Sequence, residues 1–140
     1  MAMKTSKINS IENAYEIIRL SEASQALALE KTKNFLRAWK AGVKVAGKEY
    51  FDVKTQDGEI DSAESRDDLQ PKVIFIKNCI GKISHGEVVF LGLMVSFYNS
   101  ECGQEILQRS KAANIADWAS ILDEHRKEII VTLFQNASGW

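Results

Sequence analysis

The chain reads as a single all-α domain, residues 1–140, folded as a compact bundle of five to six helices. Three observations point there. Apolar residues recur at helical spacing through most of the chain. Serine, asparagine or aspartate stands just before several of these runs, where a helix start needs a side-chain acceptor. The run Val88 to Tyr98 is apolar nearly all the way round and carries no charge. Such a helix is either buried or membranous. This one is much shorter than the roughly 20 residues that cross a bilayer, so it is expected at the centre of the bundle.

From the N-terminus, Ser10 is placed to cap a helix through Ile11, Ala14, Tyr15, Ile17, Ile18 and Leu20. A helical stretch from about Glu22 to Ala41 follows, either separate from the first or continuous with it. Its stripe is Ala28, Thr32, Phe35, Leu36, Trp39 and Val43, and Gly42 marks its expected end. Residues 43–56 change character. Val45, Tyr50, Phe51 and Val53 surround a turn at Ala46-Gly47-Lys48, and Asp57-Gly58 is a second turn signal. A short β-hairpin and an irregular insert are both compatible with this pattern, since two strands alone are only marginally stable.

Residues 57–70 carry six acids against Arg66 alone and lack periodic apolar residues. They read as a solvated acidic loop between the N-terminal and C-terminal helices. Pro71 suits the first turn of the next helix, where a missing N–H is harmless. That helix holds Val73, Ile76, Ile80 and Ile83 at helical spacing. Ser84 and Glu87 form a capping box for the central helix at about 85–99, and Gly92 inside it implies close approach of a neighbour. Ser100 is expected to cap a short helix with Ile106 and Leu107. Asn114 is expected to cap one with a buried Trp118, and Asp123 one with Ile129, Ile130, Leu133 and Phe134.

Composition bounds the function. The 140 residues are 45% hydrophobic and 26% charged with net charge −1, which argues against a dedicated nucleic-acid binder. The N-terminus shows no secretory pattern. Two cysteines without paired spacing read as reduced thiols, and a cytoplasmic protein is expected, with no membrane partner.

The chemical candidates are few. Cys79, His85, Cys102 and His125 have the residue types of a zinc site, but their spacing matches no compact zinc motif, so no metal site is expected. Cys102 falls in a predicted first helical turn, where a thiol pKa can drop, and a Cys-His nucleophile with His85 or His125 is conceivable. Cysteine is more simply a small apolar filler there. Asp57, Glu59, Asp61 and Asp68 echo a calcium loop, but Ser62 stands where that loop needs glycine. There is no phosphate-cradling glycine loop and no metalloprotease or hydrolase signature. Neither a catalytic residue nor a cofactor is expected. Lys33, Arg37, Lys40 and Lys44 lie along one helix face, suited to phosphates or an acidic partner and equally to an ordinary solvent face.

Ile80, Ile83-Ser84, Glu87, the apolar run to Ser96 and Phe97-Tyr98-Asn99 form a pattern. In it, residues 76–107 resemble a segment of phage abortive-infection proteins of the AbiC type. The resemblance implies a bacterial or mobile-element protein linked to phage defence, and it carries over no catalytic residue. The expected function is therefore a non-enzymatic protein–protein interaction module, with Tyr50, Phe51 and Trp140 as exposed anchors and homodimerisation as one form. The alternative is a nucleic-acid-binding accessory protein using the basic face.

Overall fold

The structure, a computed structural model, describes residues 2–138, with side chains from residue 9 onward. The all-α class holds: six α-helices and one two-stranded sheet make up the described residues. The stretches 11–20 and 22–41 are one helix, α1, Ala2–Ala46. Ser10 lies within it and caps nothing, because helical backbone runs straight through that position. Gly42 does not end it either. A Cβ at Gly42 would stand 2.6 Å from Met94 Cε and 2.8 Å from Met94 Sδ, so the glycine serves packing. The helix stops at Gly47, whose φ of 115° is open to glycine and costly for other residues.

A 3₁₀ turn, Lys48–Tyr50, leads into strand β1, Phe51–Val53. Its partner is β2, Leu69–Pro71, antiparallel, with Phe51 opposite Pro71, Asp52 opposite Gln70 and Val53 opposite Leu69. The short β element is thus real, but the acidic stretch closes it rather than the turn at Gly47. Pro71 accordingly ends a strand, and α2, Val73–Cys79, starts two residues later.

The acids of the loop fold it. Asp57 accepts from Ser62 Oγ at 2.5 Å and from the Glu59 amide at 3.0 Å. The Ser62 hydroxyl, then the Glu59 amide, holds the Asp57 carboxyl below the usual range. Asp68 accepts from the Glu64 amide at 2.9 Å. Two 3₁₀ turns, Ile60–Ser62 and Arg66–Asp68, result, and Ala63 between them is buried.

The second half follows its caps. In α3, His85–Tyr98, Ser84 Oγ accepts from the Glu87 amide at 3.2 Å and donates to the Glu87 carboxylate at 2.9 Å, so one hydroxyl makes both bonds. Residues Val88 to Val95 are all buried. Helix α4, Ser100–Arg109, is capped by Asn99 rather than Ser100: Asn99 Oδ1 accepts from the Cys102 amide at 3.0 Å. Asn114 caps α5, Ile115–Ile121, and Asp123 caps α6, Glu124–Asn136, each accepting from the third residue on. Trp118 is half-buried, with its indole N–H on the Ala112 carbonyl.

Two glycines let α4 lie against α3. A Cβ at Gly92 would meet Leu107 Cδ2 at 2.9 Å, and one at Gly103 would meet Ser96 Cα at 2.5 Å. The insert is fastened by an aromatic cluster. Trp39 stacks on Phe35 with ring centroids 6.0 Å apart and meets Phe51 edge-on at 6.0 Å. The Arg66 guanidinium lies over the Tyr98 ring at 5.2 Å and donates to the Phe97 carbonyl at 2.8 Å.

Candidate functional site

Every residue from 9 to 30 is exposed, and the buried core begins at Phe35. At 1.5 Å per residue, this part of α1 is an arm about 33 Å long with no buried residue. Its apolar content is that of a packed helix. Ile11, Tyr15, Ile17, Ile18, Leu20, Leu27 and Leu29 are all more than half exposed. Single exposed apolar side chains are ordinary, whereas a contiguous group marks an interaction surface.

The arm carries two faces. Ile11, Tyr15, Ile18, Glu22, Gln25, Leu29, Thr32 and Leu36 recur at alternating steps of four and three. On a helix of 100° per residue they fall within an arc of about 100°. Ile17, Leu20 and Leu27 form a second face, collinear with Phe35, Ala38 and Gly42, which enter the core. The core-packing stripe of α1 therefore runs outward past the body without a cover among the described residues. The stretches 11–20 and 22–41 read from the sequence as either separate or continuous, so the arm was not singled out there. The four-three spacing from Ile11 to Leu36 is the signal that finds it.

The expected anchors fare differently. Tyr50 and Phe51 are buried, exposed to 7% and 2%. Phe51 lies edge-on to Trp39, and Tyr50 tilts against Phe75 at 5.7 Å, so both hold the insert and neither is presented to a partner. This corrects the expectation. Irregular segments bury aromatic residues when the β pairing folds them back. Trp140 lies outside the described residues.

Half of the basic face is already engaged. Lys44 Nζ is 2.6 Å from Asp61 Oδ1, and Lys40 Nζ donates to the Asp61 carbonyl at 2.9 Å. The Lys44 contact, chiefly its hydrogen bond, lowers the Asp61 pKa. Arg37 reaches Asn34 Oδ1 at 3.5 Å, and Lys33 points into solvent. Arg37 also borders an open groove of about 340 Å³ between α1 and α6, with His125, Glu128 and Asn136 on its other wall.

The four thiol and imidazole groups form no centre. His85 Nε2 is 2.8 Å from the Ser110 carbonyl, and His125 lies in the α1–α6 groove. Cys79 and Cys102 are half-buried free thiols. Among the described residues no group of three or more His, Cys, Asp or Glu side chains could hold a metal ion, the acidic loop included. Among the same residues no helix is long and apolar enough to cross a membrane. Compared with known proteins, the chain matches no family model, no curated protein and no solved structure.

Proposed function

We propose that the protein is a non-enzymatic helical interaction module whose body presents α1 as a docking arm. One observation carries this reading: residues 9–30 form a continuous exposed helix with large apolar side chains on two faces. Burying a large apolar side chain is worth about 1.5–3 kcal/mol, so an arm of this composition favours a cover. Helix-in-groove recognition uses anchors at this spacing. The face Ile17, Leu20 and Leu27 fits a partner that continues the helix packing made by the body. A link to bacterial phage defence is part of this proposal and is supported only by the resemblance of residues 76–107.

The test is affinity capture of the full chain from a bacterial host lysate treated with nuclease, beside the Leu20→Glu/Leu27→Glu variant. A protein recovered by the natural chain and lost with the variant supports the reading. Equal recovery by both chains, or recovery abolished by nuclease, counts against it. The second outcome would move the function to the basic face at Lys33 and Arg37.

A further inference from the structure

We infer that the face Ile11, Tyr15, Ile18, Leu29 and Leu36 pairs with the same face of a second copy of this chain, the two arms running antiparallel. The inference rests on the docking-arm reading and names one partner of that arm.

The seam itself supplies the register. Its positions run from Ile11 to Leu36, exposed as far as Thr32 and half-buried at Leu36. Beyond Leu36 the adjoining part of α1 is occupied by the body's own loop, through Lys40 and Lys44 on Asp61. An antiparallel pair that uses the whole free seam sets Ile11 against Leu36 of the other copy. Ile18 then meets Leu29, Tyr15 meets Thr32, and Glu22 meets Gln25. Ile11 with Leu36 and Ile18 with Leu29 make apolar layers, and Tyr15 lies on the methyl-bearing Thr32. By the two-fold, Glu22 meets Gln25 in two adjacent central layers, one carboxylate acceptor against one amide donor in each, the kind of buried polar contact that fixes register.

The flanks agree. In this register Glu12 stands beside Lys33 of the other copy, twice by symmetry, and both residues are exposed in the single chain. The opposite flank carries Ala14, Ser21 and Ala28, seven apart, small enough for close approach of two helices. A parallel in-register pair fails on the same residues. It stacks Glu22 on Glu22 at the seam, a like-charge contact, and leaves Glu12 and Lys33 about 31 Å apart along the axis.

The area suffices. Ile11, Tyr15, Ile18 and Leu29 are exposed to 51%, 70%, 55% and 57%. At about 200 Å² for a fully exposed large side chain these four offer roughly 470 Å² per copy. Two copies thus cover about 930 Å² in these residues, and Glu22, Gln25, Thr32 and the flanking residues carry the contact toward the roughly 1,200 Å² at which specific interfaces begin. Ile17, Leu20 and Leu27 stay on the outside of the pair, so self-pairing and capture of another protein use different faces.

The experiment is sedimentation equilibrium on the full chain at micromolar concentration, with cysteine cross-linking. The expected mass is twice the 15.7 kDa of one chain. Ile11→Glu/Ile18→Glu is expected to give a folded monomer. Glu12→Lys alone is expected to weaken pairing about tenfold, and adding Lys33→Glu to restore it. Mixed chains carrying Ile18→Cys and Leu29→Cys should form an 18–29 disulfide, identified by peptide mapping. A natural chain that stays monomeric overturns the pairing, and an 18–18 disulfide overturns the antiparallel register. In either case, capture that is still lost with Leu20→Glu/Leu27→Glu leaves the interaction module standing. A monomer whose capture is indifferent to that variant removes both.

Discussion

The indole N–H of Trp39 donates to the backbone carbonyl of Leu69 at 3.0 Å, and both residues are completely buried. Trp39 belongs to the long helix and Leu69 to the second strand. This bond, with the stacking of Trp39 on Phe35 and its edge contact to Phe51, is how a three-residue strand pair becomes stable. Two short strands alone are marginal, and a helix must cover them.

Trp39→Phe tests this. The ring volume falls only modestly, but the buried carbonyl loses a donor. A loss of about 1–3 kcal/mol is expected, read as a lower urea midpoint with an unchanged slope. A midpoint equal to that of the natural chain would show that the Leu69 carbonyl is satisfied without the indole.

The two glycines at the α3–α4 contact should differ in cost. At Gly92 an added methyl meets Leu107 Cδ2 at 2.9 Å, the end of a side chain that can turn. At Gly103 it meets Ser96 Cα at 2.5 Å, with the Ser96 amide nitrogen and hydroxyl closer still. Backbone cannot step aside, so α4 must move as a unit. Gly103→Ala is expected to destabilise by about 3 kcal/mol and Gly92→Ala by about 1 kcal/mol, by thermal unfolding. Equal melting temperatures would contradict this geometry.

These contacts show which parts of the fold were legible. Ser84, Asn114 and Asp123 were found as caps because capping is local: the acceptor and its amide lie three residues apart. Gly92 was legible because an otherwise apolar helix has no other use for a glycine. The pairing of Phe51 with Pro71 was not, since the loop between them has no periodicity to announce closure. For the same reason Tyr50 and Phe51 looked exposed. The docking arm was half legible. Its apolar residues were evident, but Ser10, the start of a second stretch near Glu22, and Gly42 suggested boundaries where the helix runs through.

Acid should weaken the fold through its short-range carboxylate bonds. Asp57 is lowered chiefly by the Ser62 hydroxyl, Asp61 by Lys44, Glu105 by Lys77 and Asp123 by the Arg126 amide. A carboxylate depressed in the folded state contributes stability that is complete above its unfolded pKa of about 4 and lost as pH falls through the lower folded value. Denaturant midpoints are therefore expected to stay level above about pH 5 and to decline below pH 4. Asp57→Asn should flatten that decline. A decline as steep in this variant as in the natural chain would take Asp57 out of the acid transition.

The basic face should bind nucleic acid only weakly. Asp61 already neutralises Lys44 and occupies Lys40, so Lys33 and Arg37 carry most of the remaining charge. Neutralising few phosphates gives weak binding with a shallow salt dependence. Fluorescence anisotropy with a short duplex is expected to show dissociation constants no tighter than about 10 µM at physiological salt. Tighter binding, lost when Lys33, Arg37 and Lys40 are replaced by Glu, would favour the nucleic-acid reading instead.

Removing the arm should leave the body folded. No described residue between 9 and 30 is buried, and the aromatic cluster that holds the insert begins at Phe35. A chain starting at residue 31 keeps every core side chain. Its near-ultraviolet circular dichroism, to which the packed Trp39 and Trp118 contribute, should match that of the full chain, and its body should melt within about 0.5 kcal/mol of it. The far-ultraviolet helix signal should drop by the arm's share. Cover adds a further effect in the full chain alone: most helical stability comes from packing of an apolar face, so the arm's helicity should rise with protein concentration if self-association supplies the cover. A shortened chain that loses its near-ultraviolet signal would mean that the arm stabilises the body through contacts beyond the core.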